Sequence, residues 1–274
     1  MQIVGYDTAH AAEREPALLF ARDGDRTAGV GPRVRAGTAD LAGGGEVVRV
    51  SIAPGTDLEY TLGQQRCAGV IDDAGHRACP ADRAPYCADH VDDWVCARCT
   101  GTCLKDEMDC YQEHAVYLAA FAPATFKVGV TRLERLDARW REQGADRAAH
   151  VHSVSNGRIA REIESKIAAD VGDSVRIPTK VEGLARPVDT DAWRTLLAAF
   201  DPIGTADLDY GLDLERCPVA DTLATGTVRG LKGRVLVLER ADTTYAVDLR
   251  DLVGHEVTAE RAERDLQSSL GAFG

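Results

Sequence analysis

Lysine is scarce in this chain: of 32 basic residues, five are lysine and 27 arginine. Aromatic residues make up 5% and methionine occurs twice. No apolar run approaches the roughly 18 residues that span a membrane, and no opening stretch passes from basic to apolar to small residues as a secretory signal does. The reading is a cytoplasmic protein without a membrane partner. Positive charge is missing overall, since 44 acidic residues leave a formal net charge of -12. A globally basic nucleic-acid-binding surface is thereby excluded, and any phosphate contact has to be local. Also absent are a P-loop, a G-x-G-x-x-G after a strand, a G-x-S-x-G and an H-E-x-x-H, so the common small-molecule transferases and hydrolases have no motif here.

What is present begins with acid. Twenty-eight of the acidic residues are Asp, and an Asp-rich, Lys-poor surface suits a halophilic protein that must stay hydrated in concentrated salt. The 274 residues, 45% apolar and 28% charged, suffice for one large domain or two small ones.

Residues 1–66 read as a β segment, with short strands near 2–6, 17–21, 46–52 and 58–62 between turn signals such as Pro54-Gly55. Residues 67–114 lose all periodicity and hold too few Leu, Ile and Val to build a core. From 115 to 180 the pattern is β-β-α-β-α: strands around 116–118 and 128–130, a helix over 133–143 stopped by Gly144, a strand over 149–154, and a helix capped by Ser155 or Asn156. That last helix carries Ile159, Ile163, Ile167 and Val171 on one face and stops at Gly172. Residues 181–274 hold a helix capped at Asp189 or Thr190 with Trp193, Leu196, Leu197 and Phe200 inward, an Asp- and Gly-rich loop up to Pro218, strands at 227–228, 234–238 and 245–249, and a polar closing helix. The terminal β segments are each too small to stand alone and are expected to pair with one another.

Seven of the eight cysteines fall between Cys67 and Cys110. Clustered thiols in a cytosolic chain are more often metal ligands than disulfides. The order Cys67, Cys79, Cys87, His90, Cys96, Cys99, Cys103, Cys110 supplies eight ligands, enough for about two tetrahedral Zn2+ sites of structural type. Taken in chain order, Cys67, Cys79, Cys87 and His90 form a three-thiolate, one-imidazole site and the last four an all-thiolate site; interleaved pairing fits equally well. His114 is a spare ligand and His76 a weaker one. Cys217, far from the cluster, reads as a small buried hydrophobe.

Val116-Tyr117-Leu118, then Lys127-Val128-Gly129-Val130-Thr131, then an Arg-bearing helix and a helix carrying Glu164 resemble the core of the GIY-YIG nuclease superfamily over about residues 114–172. The stretch from His114 through Lys127-Val128-Gly129-Val130-Thr131-Arg132 to Arg139-Trp140 and Gln143-Gly144-Ala145, with the upstream cysteines and Gly230-Leu231-Lys232-Gly233, resembles an uncharacterised family, domain of unknown function 2797, over most of the chain. The first resemblance implies an α+β fold: a small antiparallel sheet with flanking helices, a GIY-YIG-like β-β-α-β-α core, here preceded by a zinc-knuckle region and flanked by small β segments. It also implies roles. Tyr117 helps activate water, Arg139 holds the scissile phosphate with Arg135 as its rival, and Glu164 binds one Mg2+ or Mn2+, with Glu162 the poorer candidate. Lys127 stands where the family has its second tyrosine, and a phosphate contact is the role open to it.

Residues 127–147 contain Lys127 and five arginines against four acids, a small basic window in an acidic chain. The reading is a zinc-stabilised protein acting on or binding DNA or RNA, as a divalent-metal-dependent phosphodiesterase; the alternative is a non-catalytic zinc scaffold with a degenerate nuclease-like core. His150 and His152 alternate on one strand and are expected to share a face, and Trp140 reads as core.

Overall fold

The computed structural model describes residues 1–8, 14–22, 45–91 and 111–258. In chain order the elements are β1 (Gln2–Asp7), β2 (Ala17–Ala21), β3 (Val47–Ser51), β4 (Asp57–Gln65), the hairpin β5 (Val70–Asp72) and β6 (Gly75–Arg77), then β7 (His114–Phe121) and β8 (Thr125–Arg132). A 3-10 turn (Leu133–Arg135) leads into α1 (Leu136–Gln143), followed by β9 (Arg147–Val154), α2 (Gly157–Val171), α3 (Ile177–Glu182), α4 (Thr190–Leu197) and β10 (Gly204–Asp207). The chain returns through β11 (Val219–Ala220), β12 (Ala224–Lys232), β13 (Val235–Arg240), β14 (Thr243–Asp248), α5 (Leu249–Leu252) and β15 (His255–Thr258). The architecture is mixed α+β, and the closing polar helix expected from the sequence lies outside the described residues.

Strands from both ends of the chain share one nine-stranded sheet, ordered β11-β14-β13-β12-β4-β15-β1-β2-β3. β4 is the join: it pairs with β12 on one side and with β15 on the other, both antiparallel. Ile3, Leu18, Phe20, Leu58, Leu236 and Leu238 fill one face, each worth roughly 1.5–3 kcal/mol of burial.

The second sheet is antiparallel and ordered β10-β9-β7-β8. β7 lies inside it and is buried along its whole length, which is why its sequence runs as nearly unbroken apolar residues. One face is covered by Leu136 and Trp140 of α1, so Trp140 is core. The other carries Ala160, Ile163, Ile167 and Val171 of α2 and Trp193, Leu196 and Leu197 of α4. Ile159, expected on that inward stripe, is 40% exposed instead: it occupies the first turn, where Asn156 caps the helix through the Ile159 N–H at 3.0 Å.

Several short elements escaped the sequence pattern: the β5–β6 hairpin, α3, β10, β11, α5 and β15. α3 carries Pro178 in its first turn, a position where the missing N–H costs nothing, and β10 arises within the Asp- and Gly-rich stretch by pairing with β9. The sheets meet where α1 ends. Gly144 (φ 67°) and Gly233 (φ 59°) face each other so closely that a Cβ on Gly233 would stand 2.7 Å from the Gly144 nitrogen. Lys232 forms an ion pair with Asp146 beside this contact.

Candidate functional site

Two groups of side chains converge in this fold. The first is the metal-binding geometry of Cys67, Cys79, Cys87 and His90, whose ligand atoms all lie within 4.8 Å of one another. Cys67 follows β4, Cys79 follows β6, and a turn closed by His90 N–H to Cys87 O at 3.0 Å presents Cys87 and His90 together. Around a tetrahedral zinc, sulfurs stand about 3.8 Å apart and a sulfur and a nitrogen roughly 3.5 Å apart. The Cys79–Cys87 sulfurs are separated by 3.9 Å, and His90 Nδ1 lies 3.4 Å from the Cys67 sulfur and 3.2 Å from that of Cys87. These residues therefore fit one tetrahedral ion in a closed shell.

Main-chain donors support the same reading. Cys87 N–H and Gly69 N–H point at the Cys67 sulfur at 3.3 and 3.4 Å. Burial acts to raise the Cys67 thiol, but these donors together with the Cys87 and Cys79 thiols hold the group below its ordinary value. The group coincides with the first four ligands in chain order. Cys96, Cys99, Cys103 and Cys110 lie outside the described residues. Among the described residues, His114 and His76 stand apart: His114 Nδ1 meets Gln112 O at 2.7 Å, and His76 Nε2 meets Ala68 O at 2.6 Å. Cys217 is exposed, contrary to its sequence reading, and its sulfur donates to Val181 O at 3.3 Å.

The second group lies on the α1 face of the four-stranded sheet, at the edge strand β8. Tyr117 pairs directly with Gly129, and its ring occupies the space a side chain at 129 would need. Its neighbours are Arg139, Glu164 and Glu142. Lys127, two residues along the same face, feels Arg139, Glu164, Asp173 and Arg161. Tyr117, Lys127, Arg139 and Glu164 are thus within electrostatic reach of one another, drawn from β7, β8, α1 and α2. The turn after α2 closes the strand edge, with Gly172 O accepting Val128 N–H at 2.9 Å.

The rivals separate by geometry. Glu142 bridges both arginines, bonding Arg135 at 2.7 Å and Arg139 at 3.2 Å; of the two, Arg139 is the one that acts on Tyr117. The Glu164 carboxylate is largely buried and paired with Arg161 at 2.6 Å, whereas Glu162 is out in solvent with Arg158. Burial raises the Tyr117 phenol above its usual value, opposed by Arg139, and lowers the Lys127 ammonium, with Arg139 adding to the effect.

His150 and His152 do not share a face. A bulge in the β7–β9 ladder, where Tyr117 pairs with His150 and Val116 with His152, breaks the alternation between them. His150 is buried with Ser153 at 3.1 Å, and His152 is exposed.

Residues that pattern reading missed are Glu142, Gln143, Arg161 and Lys180. Gln143 accepts Lys127 Nζ at its side chain (3.4 Å) and Lys180 Nζ at its main-chain oxygen (2.7 Å). Scarcity was the available signal for Lys180: a lysine retained in a chain that otherwise uses arginine.

No helix among the described residues is long and apolar enough to cross a membrane. No curated protein and no solved structure matches the chain. The family described as protein of unknown function (DUF2797) matches residues 57–211, which hold both the Cys67–His90 cluster and the whole Tyr117 constellation. The chain belongs to that family.

Proposed function

We propose that the protein binds nucleic acid at the Tyr117, Lys127, Arg139 and Glu164 face and hydrolyses a phosphodiester there as a GIY-YIG-like enzyme, on a frame held by structural zinc. One observation carries the reading: within the 48 positions from 117 to 164, Arg139 and Glu164 each act electrostatically on both Tyr117 and Lys127, which lie on paired strands of a single sheet.

Phosphodiester cleavage needs a cation on the non-bridging oxygens, an oriented water and a Lewis acid. Arg139 would hold the phosphate, released from Glu142 as the anion arrives. Tyr117, kept neutral by burial, would orient the water through its hydroxyl. Lys127 would neutralise charge on a phosphate oxygen. Glu164 would hold a divalent Mg2+ or Mn2+, whose contribution is Lewis acidity at the leaving oxygen. Cys67, Cys79, Cys87 and His90 would hold one zinc ion and Cys96, Cys99, Cys103 and Cys110 a second, neither with a position for substrate.

A second reading, binding without cleavage by a non-catalytic zinc scaffold, is favoured by the Arg161–Glu164 pair at 2.6 Å, which occupies the carboxylate that the ion needs. Incubating structured DNA and RNA with the protein and Mg2+ or Mn2+ separates the two. Cleavage lost in Arg139→Ala and Glu164→Ala supports the enzyme. Binding that persists without cleavage, with or without those changes, supports the scaffold.

A further inference from the structure

Three of the four lysines among the described residues do not serve as surface charge. Lys232 is 7% exposed and paired with Asp146, Lys127 is 8% exposed, and Lys180 is half-buried. Lys127 and Lys180 share a single neighbour. From β8 and from α3 they reach Gln143, one its side chain and the other its main chain. Neither has a carboxylate within ion-pair distance among the described residues, and Lys180 lies 4.9 Å over the Phe121 ring.

Each ammonium has three N–H donors, so the single bond from each to Gln143 leaves most of them unspent. Arg139 and Arg234 add like charge around Lys180. Their carboxylates are already engaged: Glu142 by two arginines and Asp248 by Arg234 at 2.8 Å. Positive charge is therefore concentrated where α1, α3 and the β13 start meet, opposed at longer range by Glu164 and Asp173 around Lys127 and by Asp248 around Lys180.

We infer that Lys180, with Lys127 shared between the two positions through Gln143, forms a second phosphate-oxyanion site adjoining Arg139, which takes the next phosphodiester of a bound strand. The inference rests on the nucleic-acid reading for its source of phosphate, but the oxyanion chemistry is the same for free phosphate. α3 follows the last helix of the β-β-α-β-α pattern, so Lys180 adds a contact that none of those five elements supplies. The helix-end carbonyl of Gln143 orients Lys180, and the Phe121 ring beneath it leaves the remaining donors to an oxyanion.

The test measures acylation of lysines in the full chain by an amine-reactive ester, read by mass spectrometry, with exposed Lys166 as the internal standard. Single-stranded DNA, the matching duplex and inorganic phosphate serve as protectors. Protection of Lys180 relative to Lys166 by DNA alone supports the strand phosphate; protection by phosphate as well supports a general oxyanion site. Salt titration of DNA binding gives a second measure. Lys180→Gln is expected to lower the slope of log K against log salt by about 0.9 on duplex, while Lys180→Arg restores it. DNA that binds without protecting Lys180, with an unchanged slope in Lys180→Gln, overturns the site and leaves the nucleic-acid reading standing. Phosphate protection without any DNA binding does the reverse, and the absence of both DNA binding and phosphate protection overturns both.

Discussion

The phenol of Tyr117 rests on Gly129, its partner across the strand pair, so closely that a methyl group at 129 would lie 2.6 Å from both Cζ and the hydroxyl oxygen. The glycine is thus a recess for the ring, which explains why a strand otherwise rich in β-branched residues interrupts itself there.

Gly129→Ala should therefore destabilise the fold by about 1–3 kcal/mol, the usual cost of overpacking, and move the Tyr117 hydroxyl off Arg139. The expected result is a lower denaturation midpoint together with weakened nucleic-acid binding. Unaltered values for both would show that the ring has another rotamer available.

Glu142 holds Arg135 and Arg139 through partly exposed pairs, each worth about 0.2–1 kcal/mol. Glu142→Gln should cost little stability and should raise affinity for DNA by a few-fold, because the guanidiniums no longer have to leave a carboxylate. Filter binding of wild type and variant at one ionic strength measures this; a fall in affinity would assign Glu142 to the ligand-contacting side instead.

Metal analysis gives a third prediction. The full chain should carry two zinc ions, with a visible spectrum lacking the bands of iron-sulfur clusters. Cys87→Ser should retain one ion, since only the Cys67–His90 set loses a ligand, and its melting temperature should fall as a closed structural site is opened. Iron in the preparation, or retention of both ions in Cys87→Ser, contradicts the assignment.

Burial, followed by Lys127, Arg234 and Arg139, pulls the Lys180 ammonium from 10.5 down to about 8. Because the folded value is below the unfolded one, the unfolded chain binds more protons between these limits, and stability from this group rises with pH across that window. The penalty is fully present below pH 8. Lys180→Met should remove the rise, seen as a urea midpoint that depends less on pH in the variant than in wild type. Anion binding should weaken over the same range in wild type only.

The acid-rich composition predicts a gain in thermal stability on moving from dilute buffer to molar potassium chloride, as salt screens the repulsion of a net charge of -12. Thermal melts across a salt series measure it, and best stability in dilute buffer would refute salt adaptation.

Much of this architecture can be read from local pattern. β7 shows as a continuous apolar run, α2 as a capped amphipathic helix, and the Cys67, Cys79, Cys87, His90 set as the first four ligands in order. These signals are local or depend on residue type alone. The misses share a different cause. β10 exists because β9 offers it an edge, and the split between His150 and His152 depends on a bulge set by the neighbouring strand. Ile159 is exposed in the first turn of α2, where the buried residue is its neighbour Ala160. Lys180 required knowing that α3 returns to the end of α1, a contact over 37 positions that no periodicity reports.

The position of β4 between β12 and β15 also sets an order of assembly. A ribosome delivers β4 and then the entire middle of the chain before either neighbour of that strand exists. Until β12 and β15 emerge, β4 has both edges open, while the Cys67, Cys79, Cys87 and His90 ligands and all four strands of the second sheet fall within residues 67–207. The middle can thus settle first and carry β4 toward its late-arriving neighbours. If the Cys67–His90 cluster takes up zinc as proposed, zinc supply during synthesis would govern how long an unpaired strand edge is offered to other chains.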